Sequence, residues 1–241
     1  MRNFFYFCAK FQKTNNIMKK VLLGAFVLVA ALVMTGCGNH QNQKNNKVKT
    51  NNLLIIVDPQ IDFTTGSLAV AGGPEAMDRL SQALENGLYK KYDKIVVTQD
   101  FHPANHCSFV EQGGVFPPHC VQNTEGVNVY PNLQKVLDKI KKEVNIEYLT
   151  KGDQAGKEEF SIFQNEKNGE YLNLQIKETQ YNNIDICGIA SDYCVLETLK
   201  DLLYFVPAGR VRVATNCIAS VADDEILPAF MKEKGVQEVS F

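Results

Sequence analysis

From residue 53 onward the chain switches repeatedly between two rhythms of apolar and polar positions. Short, nearly continuous apolar runs recur: NLLIIVD at 52–58, KIVVTQD at 94–100, NIEYLTK at 145–151, NIDICGIA at 183–190, RVRVATN at 210–216 and the terminal VQEVSF at 236–241. Runs of this kind predict strands buried on both faces, the habit of a parallel sheet. Between them, apolar residues fall at helical spacing. Met77, Leu80, Leu84 and Leu88 mark a helix within 75–91, and Leu133, Val136, Leu137 and Ile140 mark one within 132–142. A strongly apolar helix is expected over 192–205. Another, over 224–235, ends on a glycine suited to a C-cap. Alternating strands and helices predict an α/β domain with a mostly parallel sheet.

The front of the chain follows a different plan. From Met18, two lysines precede an apolar run from Val21 to Met34, and TGC follows. A charged start, a short apolar middle and small residues at the end describe a secretory signal. The run is shorter than the ~20 residues a membrane-spanning helix needs. The cysteine after small residues resembles a lipobox, which makes Cys37 the expected lipidation site and membrane anchor. Residues 1–36 are therefore read as leader and signal, 37–52 as a polar Asn-, Gln- and Lys-rich tether, and 53–241 as the folded domain. The expected location is exported and membrane-anchored, facing the periplasm or the cell exterior.

A net charge of −2 and 45% hydrophobic residues suit one domain with a full core. There is no basic stripe and no nucleic-acid signature, so no nucleic-acid partner is expected. Neither GxGxxG nor GxxxxGK[ST] occurs, so nucleotide binding has no motif. Self-association into a homo-oligomer stays open. Beyond Cys8 and Cys37 five cysteines remain, an odd number without CxxC pairing, so a disulfide framework is not expected.

Chemistry gathers where the strands end. Asp58, Asp100 and Lys151 each terminate an apolar run, and Cys194 follows another closely. Ligands of open α/β sheets bind at the carboxyl ends of strands. Ser191 or Asp192 is expected to cap the helix that begins near Cys194. The helix dipole and a nearby cation would then lower the thiol pKa. Cys187, inside a strand, fits a structural role. A nucleophilic cysteine needs a base, for which Asp58 is the candidate, and Lys151 supplies positive charge. Three of the four histidines lie between His102 and His119. Asp100, His102 and His119 form a candidate divalent-metal site, with His106 as a fourth ligand or a supporting group. Zinc suits these donors first, with iron or manganese as alternatives.

Taken together, IIVDPQIDF, GSLAVAGG, TQDFHPANHCSF, FPPHCVQNTEG, TKG and GIASDYCV, in this order, resemble the motifs of the nicotinamidase branch of the isochorismatase-like hydrolases. The resemblance implies a Rossmann-like, three-layer α/β/α fold with a six-stranded, mainly parallel sheet. It implies an Asp58–Lys151–Cys194 triad, a metal on Asp100, His102 and His119, and an oxyanion hole from the N–H groups of Ala190 and Cys194. A cis peptide before Ala190 is implied too, with Phe63, Phe116 and Phe160 packing a pyridine ring. The implied substrate is nicotinamide. Two positions depart from the family pattern. Pro59 follows Asp58, which is expected to stay extended before it. Ile61 replaces an asparagine and raises the prospect of altered substrate preference. The alternatives are a related small-amide or carbamoyl amidohydrolase, or a non-catalytic lipoprotein that captures nicotinamide or metal.

Overall fold

The computed structural model describes residues 51–241, so the signal, Cys37 and nearly all of the tether lie outside the described residues. Every apolar run becomes a strand: β1 (Asn52–Val57), β2 (Lys94–Asp100), β3 (Asn145–Lys151), β4 (Asn183–Ile189), β5 (Val211–Ala219) and β6 (Gln237–Val239). They form one sheet in the order β3-β2-β1-β4-β5-β6. All neighbours run parallel, with Ile55 of β1 registered to Val96 of β2 and Ile186 of β4. The strand order reverses at β1, so a crevice opens at the carboxyl ends of β1 and β4.

Side chains of β1 alternate between the two faces of the sheet, as the period of a strand demands. Leu54 and Ile56 pack under α2 (Gly73–Glu85) and α3 (Pro131–Ile140), with Met77, Leu80, Leu84, Leu133 and Leu137. Leu53, Ile55 and Val57 pack under α4 (Glu166–Thr179), α5 (Cys194–Leu202) and α6 (Ile226–Lys234). The result is the three-layer α/β/α architecture. A single turn, α1 (Ile61–Thr64), follows β1.

Some boundaries differ from the sequence pattern, each for a local reason. The helix expected over 75–91 stops at Glu85. Gly87, at φ 99°, breaks it, and a 3₁₀ turn over Leu88–Lys91 still buries Leu88. β3 is an edge strand. Only Leu149 and Lys151 of it are buried, so the two-sided burial predicted for every run fails there. Helix α4 was not apparent from the pattern, because it buries only Gly169, Leu172 and Ile176 in an otherwise polar stretch. Its start is fixed instead by Asn165, whose side chain accepts from the Asn168 N–H. Gly235 caps α6 in the left-handed region as expected.

Gly188 fixes how closely β4 approaches β1. Its φ is 121°, and a Cβ there would overlap the backbone of Val57. Only glycine meets both conditions. Gly188→Ala is expected to cost about 3 kcal/mol or more, read as a lower denaturant midpoint; an unchanged midpoint would contradict this packing.

Candidate active site

The ends of β1, β2 and β3 and the turn after β4 bring Asp58, Asp100, Lys151 and Cys194 together. Asp58 closes β1 in an unexpected conformation. Its φ is 44°, not the extended value anticipated before Pro59. Aspartate tolerates this region better than most residues, and a tight turn holds it there, with the Gln60 N–H donating to the Asp58 carbonyl at 2.8 Å. The Thr98 hydroxyl donates to Asp58 Oδ1 at 2.7 Å. The Gln60 side chain ties the neighbouring strand end, donating to the Asp100 carbonyl and accepting from the Asp100 N–H.

Lys151 is the hub. Its ammonium lies 2.9 Å from Asp58 Oδ2 and donates to Asp100 Oδ1. It also donates to the Glu159 carbonyl at 3.1 Å and approaches Cys194 Sγ at 3.6 Å. Lysine and both carboxylates are buried. Burial alone would lower the Lys151 pKa, but Asp100 and Asp58 outweigh it and raise it well above the ordinary value. For Asp100 burial acts upward, yet Lys151 and His102 hold the carboxyl well below its usual range. Asp58 goes the other way: burial and the charge of Asp100 raise it against the pull of Lys151.

Cys194 is the first residue of α5. Burial pushes its thiol well above the ordinary range. Lys151 pulls it down, while Asp58 and Asp100 push it up. The expected lowering of the thiol pKa is not met: burial and the charges of Asp58 and Asp100 outweigh the pull of Lys151. The capping expectation also changes. Tyr193 is the N-cap and makes no side-chain cap bond. The Asp192 carboxylate is turned instead to the N–H groups of Val221, Ala222 and Asp223. The peptide before Ala190 is cis. Among the described residues, the N–H groups of Ala190 and Cys194 have no hydrogen-bond acceptor. Cys187 is fully buried, and all five cysteines among the described residues are free thiols.

Asp100, His102 and His119 converge beside this cluster, with one donor atom from each within 4.8 Å of the others. His102 Nδ1 bonds the Gly152 carbonyl at 2.9 Å, and His119 Nδ1 bonds the Pro117 carbonyl at 2.8 Å. His119 is thereby left with Nε2 as its lone-pair nitrogen, the arrangement of a metal-bound imidazole. His102 turns Nε2 toward Asp100 Oδ2 at 3.6 Å, and although burial acts downward, that carboxylate raises its pKa. Burial holds His119 below its ordinary pKa, in the neutral form that ligates. One ammonium facing two carboxylates leaves surplus negative charge, which a cation would balance. The donors therefore fit a divalent metal. His106 is placed differently from a fourth ligand: Nδ1 meets Ser108 Oγ and Nε2 meets the Lys157 carbonyl. Its ring stacks on His102 at 3.9 Å.

A cleft of about 390 Å³, including its mouth, opens over Cys194, Asp100 and His119. Phe63, Phe116 and Phe160 all line it. Phe63 lies 5.4 Å from the His119 ring, and Phe116 meets Tyr193 edge-on at 5.8 Å. Ile61 is not among the lining residues, so the departure there changes no wall of the cleft. Tyr193, Leu68, Glu158 and Val221 also line it and were missed. Tyr193 and Leu68 sit inside quoted motifs, so adjacency to Cys194 and to GSLAV was an available signal. Asp62 was missed as well. It accepts from the Cys120 N–H at 2.7 Å and the Ser67 N–H at 3.0 Å, pinning the His119 segment to the loop after α1.

A family model for the isochorismatase domain matches residues 52–233. The chain belongs to the isochorismatase family. Among members, it is 33% identical over 182 residues to the nicotinamidase/pyrazinamidase of Mycobacterium tuberculosis, covering 73% of this chain and 90% of the relative. Of solved structures, PnC1 from L. infantum in complex with nicotinate matches with 32% identity and a TM-score of 0.66, covering 80% of this chain and 93% of that one. The pyrazinamidase of Pyrococcus horikoshii in complex with zinc matches with 29% identity and a TM-score of 0.64, covering 79% and 99%.

The ion cluster yields a signed test. Asp100 contributes stability present above the unfolded carboxylate pKa of about 3.9, lost as pH falls toward its depressed folded value. Removing the lysine reverses the sign, since both buried carboxylates would then titrate above their unfolded values. In metal-free protein, Lys151→Met is expected to cost about 3–5 kcal/mol at pH 7 and less at pH 5. Urea unfolding at the two pH values checks it, and an equal loss at both would contradict the charge arrangement.

Proposed function

We propose that this protein is a nicotinamidase, hydrolysing nicotinamide to nicotinate and ammonia through a thioester on Cys194. The observation that carries this is one juxtaposition: the Cys194 thiol lines an aromatic cleft beside Asp100 and His119, and behind it the buried Lys151 ammonium approaches both the sulfur and the Asp58 carboxylate. The nicotinamidase relatives and the nicotinate-bound neighbour support the same substrate.

Asp58 takes the proton of Cys194, whose sulfur attacks the carboxamide carbon. A base with an upward-shifted pKa suits a thiol that rests protonated. The new oxyanion points to the free N–H groups of Ala190 and Cys194; one such donor is worth about 10²–10³ in rate. The C–N bond breaks as Asp58 returns its proton to the leaving ammonia, and the acyl group stays on sulfur. Asp58 then removes a proton from water, whose oxygen attacks the thioester carbon. The C–S bond breaks, nicotinate leaves, and the thiol is restored. Lys151 stays charged throughout and offsets the negative charge on Asp58, the sulfur and Asp100. Phe63, Phe116, Phe160 and Tyr193 hold the flat ring. A divalent metal, zinc by the donor set and by the zinc-bound relative, would be held by Asp100, His102 and His119 and supply a Lewis-acid seat for the pyridine nitrogen. On the same proposal, residues 1–36 export the enzyme and Cys37 carries the lipid that tethers it.

Wild-type protein is expected to release ammonia from nicotinamide, and Cys194→Ala to lower kcat at least about 10³-fold with its metal content kept. A fully active Cys194→Ala, or a metal-loaded, reduced wild type that leaves nicotinamide intact, would overturn the proposal. For the tether, Cys37→Ser is expected to abolish fatty-acid labelling and move the protein from the membrane to the soluble fraction. Unchanged labelling would reject Cys37 as the anchor.

A further inference from the structure

We infer that Glu159 is a positioning residue that couples the lysine of the cluster to the metal-facing His102. This rests on the roles proposed above for Lys151 and His102. Glu159 lies in the segment joining β3 to α4 and is 1% exposed. Its backbone carbonyl accepts from the Lys151 ammonium at 3.1 Å. Its side chain reaches back along the same segment: Oε2 accepts from the Gly152 N–H at 2.8 Å and from Asn165 Nδ2 at 2.9 Å. Oε1 is ion-paired with Lys157 at 2.7 Å.

Gly152 is the other half of the device. Its carbonyl accepts from His102 Nδ1, and a Cβ on it would overlap the His102 ring. One peptide therefore has its N–H held by Glu159 and its neighbouring carbonyl set against the imidazole. The Glu159 carboxylate fixes where the Gly152 backbone sits, and the Gly152 backbone fixes the ring that would face the metal. The Glu159 carbonyl meanwhile fixes the ammonium that neutralises Asp58 and Asp100. The adjacent residues Glu158 and Phe160 line the cleft, so the same clasp sets its wall. Burial would raise the Glu159 carboxyl, but Lys157, Gly152 and Asn165 hold it below its usual range, so it remains an acceptor at neutral pH.

The test measures zinc affinity of the full chain by chelator competition and, separately, kcat at saturating zinc. Glu159→Ala is expected to weaken zinc binding about 10- to 100-fold, the usual effect of losing a group that orients a ligand, and to lower kcat. Glu159→Gln keeps an oxygen for the Gly152 N–H and is expected to restore both. Glu159→Asp keeps the charge but retracts the carboxylate by one methylene, and it is expected to weaken zinc binding even if Glu159→Ala fails to fold. Zinc affinity unchanged in Glu159→Asp, or a Gln variant as weak as Ala, would overturn the inference. If wild type left nicotinamide intact, the functional proposal would fall while the zinc comparison still decided this one.

Discussion

A single buried ammonium holds the site together. Lys151 lies between two carboxylates that arrive from different strands, and without it Asp58 and Asp100 would face each other in a dry environment. Leaving such a charge uncompensated is among the costlier things a protein can do. The fold is arranged to meet that need. β1, β2 and β3 are adjacent and parallel, so their ends lie side by side. Asp100 is registered directly against Lys151. Gly188 lets β4 come close to β1, which delivers Cys194 to the same point.

That charge arrangement shapes the chemistry. Lys151 serves two carboxylates at once, so neither the thiol nor Asp58 has the cation to itself. The thiol is left high and Asp58 is raised, while Asp100, also helped by His102, is held low. Two like groups with oppositely shifted pKa values acquire different tasks. Asp58 can move protons, and Asp100 stays an anion fit for a cation. On the proposed mechanism Cys194 is a thiol that gives up its proton to Asp58 during attack, not a standing thiolate.

Much of this was legible in the sequence because it follows from strand ends. Charged residues closing apolar runs gave Asp58, Asp100 and Lys151, and the strand-to-helix turn gave Cys194. What escaped depends on contacts between segments distant in sequence. Asp192 reads as a local cap but spends its carboxylate on the loop after β5. The role of Gly152 shows only when the His102 ring is seen against it. By spacing His106 stays open between ligand and supporting group, and only its contacts with Ser108, Lys157 and the His102 ring show it beside His102 with both nitrogens engaged. Helix α4 hid because a narrow apolar stripe suffices when the helix covers the edge of a sheet. Asp58 took a left-handed conformation that Pro59 does not announce, because the turn bonds onto Gln60.

The central claim is that the carboxamide carbon bonds to Cys194 sulfur during turnover. It is tested most directly by acid-quenching wild-type protein in the steady state with nicotinamide and mapping the adduct by peptide mass spectrometry. The expected result is a nicotinoyl thioester on the peptide carrying Cys194, lost when the quenched protein is treated with hydroxylamine. An adduct on another residue would contradict the claim, as would an unmodified Cys194 in protein that turns over while Cys194→Ala remains active.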